Sequence, residues 1–397
     1  MGDHAGNGNG NGDAAQARWL GVGRSADPDA RRAGAEAAAG ALTGADPKLV
    51  VVFCSDAYEL PELLAGIREH TAAVPLIGCS TAGEIADGGP GDHGVVVTVL
   101  GGRGFQAATR ASFGGALRLR AAGASVAQAA HAVAGCEHRV LLMLSDGLAP
   151  DDQQDLVRGA YGVLGAAVPL VGGLAGDDMK MVRTFQLHNE RVLYDAVVGA
   201  AIGSDAPIGI GVRHGWQPVG EPMVVTHSAG NRVYTLDGRP ALDAYLDRLG
   251  APPEAHREPA AFRQFALTHP LGLSRRRGEG QVRVVGGPDF EERSLSCASQ
   301  IPAGGLAWLM RGDGASALAA TDAACADALA PLGGRAPIGM IAFDCIGRRG
   351  VVAEEIDRVA ASAAGAPVAG FYTYGEIART RGLAGFHNQT LVVLALG

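Results

Sequence analysis

The sequence predicts an α/β protein with two domains, whose mixed β-sheets are built from repeated β-α-β units. Three observations support this fold class: short apolar runs alternate with helical segments, one motif recurs three times, and the composition suits a folded core. Hydrophobic residues make up 47% of the 397 residues and charged residues 19%, so the chain can bury a core and is not disordered. Short apolar runs separated by helices of about ten or more residues are typical of β-α-β crossovers.

The recurring motif organises the chain. It reads VPLIGCSTAGEI at residues 74–85, VPLVGGLAGDD at residues 168–178 and APVAGFYTYGEI at residues 366–377. The first and third copies share the pattern G-x-x-T-x-G-E-I at identical spacing. Each copy follows an apolar run and a helical segment and precedes a further apolar run. Three copies of one β-α-β unit are therefore predicted.

The elements of the three units follow one another in the same order. The predicted first strands are residues 49–54, 140–144 and 338–343. The predicted helices are residues 60–70, 151–164 and 354–363. The predicted strands after the motif are residues 95–100, 197–202 and 390–394. The second helix carries Asp151 and Asp152 in or near its first turn, where carboxylates interact favourably with the helix dipole.

The domain boundary is predicted where the repeat pattern changes, between the second and third copies. A helix at residues 239–249 is followed by Ala251-Pro252-Pro253, which is typical of a break between domains. We therefore expect a first domain at residues 40–235 and a second at residues 236–397. Residues 1–39 are expected to be a flexible N-terminal tail and lead-in. The first 13 residues are mostly Gly and Asn and resemble neither a signal peptide nor a membrane anchor.

Charge and cysteine usage exclude several classes of function. The net charge is −8, which argues against a nucleic-acid partner. The only lysines are Lys48 and Lys180, and neither follows a glycine, so no P-loop is present. The six cysteines are never two to four residues apart, which indicates neither a zinc site nor a disulfide framework. No apolar run approaches the roughly 18 residues of a membrane span, so we expect a cytoplasmic protein without a membrane partner.

The motif copies are candidates for a ligand site because glycines at the end of a strand let the backbone approach a ligand. The candidate ligand-binding residues of the first copy are Gly78, Cys79, Ser80, Thr81, Gly83 and Glu84. Those of the third copy are Tyr372, Tyr374, Gly375 and Glu376, and Asn388 follows them. The alternative is that the glycines form tight turns and each acid caps nearby backbone.

The segment after the first strand of the third unit adds Cys345 and Arg348 to the candidates. With Arg349 beside them, they predict either a thiol of lowered pKa or an anion-binding site. The alternative is that Cys345 is only a small buried hydrophobic residue. An enzyme using Cys345, or Glu84 with Glu376 as an acid–base pair, is the less favoured alternative. No complete catalytic constellation is present, so the protein is not expected to be an enzyme.

Two histidines in apolar and aromatic surroundings are candidate metal ligands. His214 lies in GVRHGW and His269 in ALTHPLGL, and such settings suit the axial ligand of a haem. The run Arg275 to Arg277 could pair with haem propionates or be a solvated loop. The alternative for each histidine is a hydrogen-bonded core residue.

With these residues in view, the chain resembles the FIST family of bacterial sensory proteins over nearly all of its predicted ordered length. The amino-terminal half is similar in the segments VVFCSDAYEL, PLIGCSTAGEI, LLMLSDG, VPLVGGLAGDD and VTHSAGNRVYTLDGRPALDAYL. The carboxyl-terminal half is similar in the segments HPLGL, FDCIGR, GFYTYGEI and FHNQTLVVLAL. Together these segments are specific, whereas each alone would be weak.

The resemblance implies a FIST N domain followed by a FIST C domain and a role in ligand sensing. Family members are often fused to kinase, cyclase or chemotaxis domains, and no such domain is expected here. The layout is similar to that of the haem-binding nitric-oxide sensors of the family. This implies haem as a cofactor and a separate histidine kinase, diguanylate cyclase or phosphodiesterase as partner. The alternative is a sensor of a small polar ligand, such as an amino acid, without haem.

Overall fold

The computed structural model describes residues 17–114, 118–149, 152–273, 280–349, 354–380 and 385–397. The predicted flexible tail at residues 1–13 therefore lies outside the described residues. Helices and mixed sheets make up the rest, which confirms the α/β class. None of the helices in these segments is long and apolar enough to cross a membrane.

The helices and strands of the described segments alternate along most of the chain. The helices are α1 (Ala30–Ala41), α2 (Leu60–Thr71), α3 (Leu119–Ala127), α4 (Gln153–Leu164), α5 (Ala241–Leu249), α6 (Pro259–Ala266), α7 (Gly314–Leu329), α8 (Ile346–Arg349) and α9 (Glu355–Ser362). The strands are β1 (Trp19–Ser25), β2 (Pro47–Cys54), β3 (Leu76–Ser80), β4 (Glu84–Ala86), β5 (Gly89–Gly91), β6 (Val95–Gly101), β7 (Phe105–Phe113), β8 (His138–Ser145), β9 (Leu170–Leu174), β10 (Gln186–His188), β11 (Arg191–Leu193), β12 (Ala196–Ser204), β13 (Ile208–Arg213), β14 (Gln217–Pro218), β15 (Met223–Ala229), β16 (Arg232–Leu236), β17 (Arg239–Pro240), β18 (Leu271–Leu273), β19 (Gln281–Arg283), β20 (Val285–Asp289), β21 (Ser294–Cys297), β22 (Leu306–Arg311), β23 (Gly339–Cys345), β24 (Val368–Thr373), β25 (Glu376–Arg379), β26 (Phe386–His387) and β27 (Leu391–Leu396).

Three six-stranded sheets share one plan. Their strand orders are β1-β6-β2-β3-β10-β11, β7-β12-β8-β9-β25-β26 and β13-β27-β23-β24-β4-β5. Each sheet contains one parallel pair, namely β2 with β3, β8 with β9, and β23 with β24. These pairs and the helices between them are the three β-α-β units predicted from the repeat. The remaining neighbours in each sheet are antiparallel, so the sheets are mixed.

The short hairpin after each motif leaves its own sheet and completes another. The hairpin β4–β5 joins β24 of the third sheet, β10–β11 joins β3 of the first, and β25–β26 joins β9 of the second. The exchange is cyclic, and we call the three sheets with their helices the ring. Because β25 and β26 come from the C-terminal half and β4, β5 and β13 from the N-terminal half, two sheets contain strands from both sides of the predicted boundary at residue 235. The boundary itself stays a prediction.

The inner faces of the three sheets meet in one buried cluster of apolar side chains. At its centre, the Phe53 and Phe371 rings lie 4.6 Å apart and the Phe343 ring lies 6.3 Å from that of Phe53. The position equivalent to Phe371 in the second copy of the motif is Gly173, where an added Cβ would lie 2.6 Å from the Thr373 methyl carbon. The missing side chain thus leaves room for the neighbours that fill the centre.

The fourth sheet belongs to residues 217–311, which we call the insert because they lie between β13 and α7 of the ring. Its strands have the order β19-β18-β22-β15-β16-β21-β20, with β14 on β22 and β17 on β16. The helices α5 and α6 pack on it. The insert has a separate buried cluster, whose largest members include Leu236, Tyr245, Phe262, Leu295 and Leu309.

Strand β1 and most of α1 lie within residues 1–39, the segment that the sequence assigned to a tail and lead-in. Strand β1 begins at Trp19, and α1 packs directly on its backbone. A Cβ added at Gly21 would lie 2.1 Å from the carbonyl oxygen of Ala41, and one at Gly23 would lie 2.0 Å from that of Ala37. Glycine on the strand and alanine on the helix allow this close approach. The same small residues give little of the apolar pattern by which strands and helices are recognised.

The first glycine of the motif pattern G-x-x-T-x-G-E-I, Gly370, tests the close packing between neighbouring strands. At Gly370, a Cβ would lie 2.0 Å from the carbonyl oxygen of Ala342 on the neighbouring strand. We expect Gly370→Ala to lower the free energy of unfolding by about 1–3 kcal/mol, as overpacking does. The control is Gly162→Ala in α4, where nothing lies within 4 Å and alanine should stabilise by about 0.5–1 kcal/mol. Urea denaturation measures both, and equal stabilities of Gly370→Ala and the natural protein would contradict the prediction.

Candidate functional site

A cavity of about 1300 Å³, which we call the large cavity, lies between the ring and the insert. On the ring side it is lined at the ends of the strands of the second and third sheets and by the turn after β26, where Cys345, Tyr374, Phe386, Asn388 and Gln389 are found. On the insert side it is lined by Asn231, Gln264, Leu267, Thr268, Cys297 and Ser299. A cavity at the carboxyl ends of parallel strands, where two packed units meet, is the usual position of a ligand site.

The predicted ligand residues divide between this cavity and other places. Cys345, Tyr374 and Asn388 line it. Glu84 instead lines a second cavity of about 480 Å³ beside the first sheet. The others belong to the walls of neither cavity, and they are Gly78, Cys79, Ser80, Thr81, Gly83, Arg348, Tyr372, Gly375 and Glu376. The two complete motif copies are therefore not brought together in one site.

In the first copy, Glu84 is buried and held by its own surroundings. The Thr81 hydroxyl donates to its carboxylate at 2.5 Å, and the Gly94 amide donates to it at 3.0 Å. Burial raises the pKa of Glu84 to about 7, against the opposite effect of these two hydrogen bonds.

The third copy repeats this arrangement at Glu376. The Thr373 hydroxyl donates to the carboxylate at 2.5 Å, and the Thr390 amide donates to it at 3.1 Å. The carboxylate is fully buried, which raises its pKa to about 8. In both copies the pattern T-x-G-E thus forms one local unit in which the glutamate binds nearby backbone. This agrees with the alternative interpretation of the motif, in which each acid caps nearby backbone.

The second copy has aspartate in this region, and Asp177 organises a loop. Its carboxylate accepts the backbone amides of residues 181–183 at 2.6–3.0 Å and the Tyr374 hydroxyl at 2.6 Å. Burial opposes its ionisation, but these hydrogen bonds outweigh burial and lower the pKa of Asp177. The loop so held places Met179 and Met181 at the wall of the large cavity, both more than half exposed.

Cys345 lies at the cavity wall, but its thiol is not activated. Burial and the neighbouring Glu376 carboxylate raise the pKa of Cys345 well above its usual value, while the backbone amides of Gly347 and Gln389 oppose this weakly. The expectation of a lowered pKa is therefore wrong. The reason is burial together with the Glu376 carboxylate, while the nearby Arg348 is bound to other acids.

Arg348 lies in a buried cluster of charges rather than in the cavity. Its guanidinium is hydrogen-bonded to Glu355, and its Nε lies 3.3 Å from an Asp344 carboxylate oxygen. Burial opposes its charge, but these two acids outweigh burial and raise the pKa of Arg348. Of the arginines in the described segments, Arg349 is the one that lines the cavity, and it forms two hydrogen bonds of 2.6 and 2.9 Å with Asp92.

His214 does not fit the role of a haem ligand. Its Nδ1 accepts the Trp216 amide at 2.9 Å, and the ring also forms a hydrogen bond with the backbone of Gly280. Burial, together with the charge of Arg348, lowers the pKa of His214 to about 4, so the ring is neutral. With Nδ1 accepting, the proton lies on Nε2 and the ring has no lone pair to offer to iron.

His269 fits the role better. Its Nδ1 lies 2.8 Å from the Phe265 carbonyl oxygen, and its ring stacks on that of Phe265 at 4.1 Å. Donation from Nδ1 to a carbonyl is usual for metal-bound histidines and leaves Nε2 with a lone pair. His269 is not in the cavity wall, although Leu267 and Thr268 beside it are. The candidate propionate partners Arg275 to Arg277 lie outside the described residues.

Sequence reasoning found one carboxamide of the cavity, Asn388, and missed the others. Among the described residues six carboxamides line it, three on each side: Gln153, Asn388 and Gln389 on the ring, and Asn231, Gln264 and Gln300 on the insert. They are scattered over more than 200 residues, and only Asn388 follows a recurring pair, since LHN at residues 187–189 resembles FHN at residues 386–388.

Two family models match the chain. The model described as FIST N domain matches residues 48–239, and the model described as FIST C domain matches residues 241–379. An uncharacterised protein of Mycobacterium tuberculosis strain H37Rv is 27% identical over 382 residues, covering 94% of this chain and 97% of that protein. An uncharacterised protein of Methanocaldococcus jannaschii is 33% identical over 101 residues, covering 25% of this chain and 19% of that protein.

Two solved structures show low sequence identity and low structural similarity to this chain. A chorismatase covers 96% of this chain and 99% of its own, with 12% identity and a TM-score of 0.38. A cyanuric acid hydrolase from A. caulinodans covers 50% of this chain and 72% of its own, with 13% identity and a TM-score of 0.27.

The raised pKa values of the two glutamates predict how stability depends on pH. A glutamate ionises near pH 4.3 in the unfolded chain, so above that pH the native state binds more protons than the unfolded state. The free energy of unfolding should therefore fall as pH rises, up to about 7 for Glu84 and up to about 8 for Glu376. The slope from each group is at most about 1.4 kcal/mol per pH unit.

Denaturation at a series of pH values separates the two groups. Glu376→Gln should flatten the slope between pH 7 and pH 8, where Glu84→Gln should have little effect, and both should flatten it between pH 5 and pH 7. A slope that is the same in Glu376→Gln and the natural protein over the whole range would show that Glu376 is not protonated when buried.

Proposed function

The chain belongs to the FIST family, whose domains are sensory domains of signal transduction, and we propose that it senses a small polar ligand bound between the ring and the insert. The observation that carries this proposal is the large cavity, whose walls come from two units with separate apolar cores. A ligand there contacts both units at once. Its binding energy can therefore favour one relative position of the units over another.

Among the described residues, three side-chain hydrogen bonds connect the two units at the cavity, and a change in these few contacts can change the relative position of the units. The Ser299 hydroxyl donates to Asp152 at 2.7 Å, the Gln389 amide nitrogen donates to the Leu267 carbonyl at 2.6 Å, and the Gln281 amide nitrogen donates to the Phe386 carbonyl at 2.7 Å. Five of these six residues line the cavity. A ligand that competes for these groups changes the contact between the units directly.

The signalling partner follows from the family and not from the geometry. We propose that the ligand-dependent change is passed to a separate histidine kinase, diguanylate cyclase or phosphodiesterase. The acidic charge of the chain and the absence of a P-loop are consistent with a role that modulates another protein. The enzyme alternative has less support, because Glu84 and Glu376 line no common cavity and burial raises the pKa of Cys345.

Blocking the cavity tests the sensor proposal. Ala298 is exposed and lines the cavity, so Ala298→Trp places an indole in it, whereas Ala134→Trp places one on a surface outside it. In a thermal-shift and calorimetric screen of polar metabolites, a ligand should stabilise the natural protein and Ala134→Trp. We expect Ala298→Trp to bind it at least about tenfold more weakly, with a free energy of unfolding changed by no more than about 0.5 kcal/mol.

The second step of the screen measures the activity of the partner enzyme. The ligand should change the activity of a kinase or cyclic-dinucleotide enzyme that co-purifies with the natural protein, and Ala298→Trp should lose that response. Equal ligand affinity in both tryptophan variants would place the site elsewhere and refute the proposal.

Haem is the second candidate ligand, favoured by the Nδ1 contact of His269. His269 would hold the iron through Nε2, and haem would supply an open position at which nitric oxide binds. The protein should then show a Soret band after reconstitution. His269→Ala should abolish or shift the band, and His214→Ala, whose ring nitrogens are both engaged, should leave it unchanged. A reconstituted protein without a Soret band, or equal spectra for both variants, would exclude His269 as the axial ligand.

A further inference from the structure

We infer that the ligand of the large cavity is an uncharged molecule with an apolar face and with polar groups that both donate and accept hydrogen bonds. Sugars, nucleosides and blocked amides share this chemistry. The inference rests on the proposed function, because it assigns a ligand class to the same cavity. It is carried by three properties of the described wall: its charges are already neutralised, its polar groups are mostly carboxamides, and its exposed side chains include several that are apolar.

Among the described residues, the wall holds two charged side chains, and each has its own partner. Arg349 forms its two hydrogen bonds with Asp92. Asp152 caps the start of α4 by accepting the Gln154 amide at 3.1 Å, accepts the Ser299 hydroxyl at 2.7 Å, and lies 4.0 Å from the guanidinium of Arg158. A charged ligand would have to leave water without meeting a free opposite charge, which is costly. An uncharged ligand does not have this cost.

The carboxamides of the ring side are buried, and their orientation is fixed where their nitrogens are bound. The Gln153 nitrogen donates to the Asp146 carbonyl at 3.1 Å, and the Gln389 nitrogen donates to the Leu267 carbonyl at 2.6 Å. The amide oxygens of Gln153, Asn388 and Gln389 have no hydrogen-bond partner among the described residues. Buried acceptors without partners are unfavourable, so a ligand that donates to them after a small shift of these side chains is stabilised.

The carboxamides of the insert side are exposed and complete the polar surface. Gln264 and Gln300 are free to turn either their oxygen or their nitrogen towards the ligand, because a carboxamide both donates and accepts. The two sides together therefore match a ligand whose polar groups alternate between donors and acceptors. This pattern is typical of hydroxyl groups and of amides in rings or chains.

The apolar side chains of the wall provide a surface for the apolar face of the ligand. Met179, Met181 and Leu267 line the cavity although 56%, 60% and 46% of their surface is exposed. Phe386 contributes a buried aromatic ring beside them. Exposed apolar side chains collected in one cavity are typical of a binding site, and flexible methionines adapt to the shape of a ligand.

Matched pairs of probes test the charge of the ligand with the full chain. The pairs are adenosine with adenosine 5′-monophosphate, glucose with glucuronate, and N-acetylphenylalaninamide with phenylalanine. In calorimetry and thermal shift, we expect the uncharged member of at least one pair to bind about tenfold or more tightly than its charged member. Tighter binding of the charged members, with loss of binding in Ala298→Trp, would overturn this inference while leaving the sensor proposal intact. No response to either member of all three pairs would count against the inference.

Carboxamide variants test which groups the ligand contacts. Gln153→Leu and Asn388→Leu should each weaken binding of the responding probe by about tenfold, the effect of losing one or two hydrogen bonds. The matched control is Gln186→Leu, since Gln186 is also buried and has an amide nitrogen without a partner but lies outside this cavity. If the buried variants fold poorly, the exposed Gln264→Ala and Gln300→Ala serve the same purpose. Unchanged affinity in all four cavity variants would overturn the inference.

Discussion

The cyclic exchange of hairpins between the three sheets is the constraint on which the rest of the structure depends. No sheet of the ring is complete within its own repeat, because each takes its last two strands from another. The shared apolar centre, with Phe53, Phe343 and Phe371 in contact, then forms only when all three sheets are in place. The two FIST halves are consequently parts of one ring, and the insert has a core of its own.

This exchange also explains where the cavity lies. The hairpin β25–β26 crosses to the second sheet and carries Tyr374 to Asp177, 197 residues away in the chain. The turn after β26 brings Asn388 and Gln389 to the same edge, where the insert covers them. The ring side of the cavity is thus built from the ends of hydrogen-bonded strands, whereas three side-chain hydrogen bonds connect the insert to it there among the described residues. A wall within one sheet system, opposite a second wall joined to it by a few hydrogen bonds, suits a protein that reports binding through a change of position.

The sequence predicted the repeated units well because each unit is local. An apolar run, a helix and a motif within about 40 residues carry the pattern of a β-α-β crossover, and all three were found. The exchange of hairpins could not be predicted, since a short strand such as β4 has the same pattern whichever sheet it joins. For the same reason Glu84 and Glu376 were grouped in one site, and Arg348 was assigned to a ligand although Glu355 and Asp344 bind it. The carboxamides of the cavity come together only through the tertiary fold.

The three motif copies differ in a way that separates structure from function. The first and third keep T-x-G-E, in which threonine and glutamate satisfy each other and nearby backbone, so these residues are bound to the protein itself. The second copy lacks this unit. In its place Asp177 holds a loop in which Asp178, Met179 and Met181 all have positive φ, between 53° and 62°, a conformation that costs energy in residues with side chains. The strained loop lies at the large cavity and presents its methionines there, so the repeat departs from its pattern where a ligand would be bound.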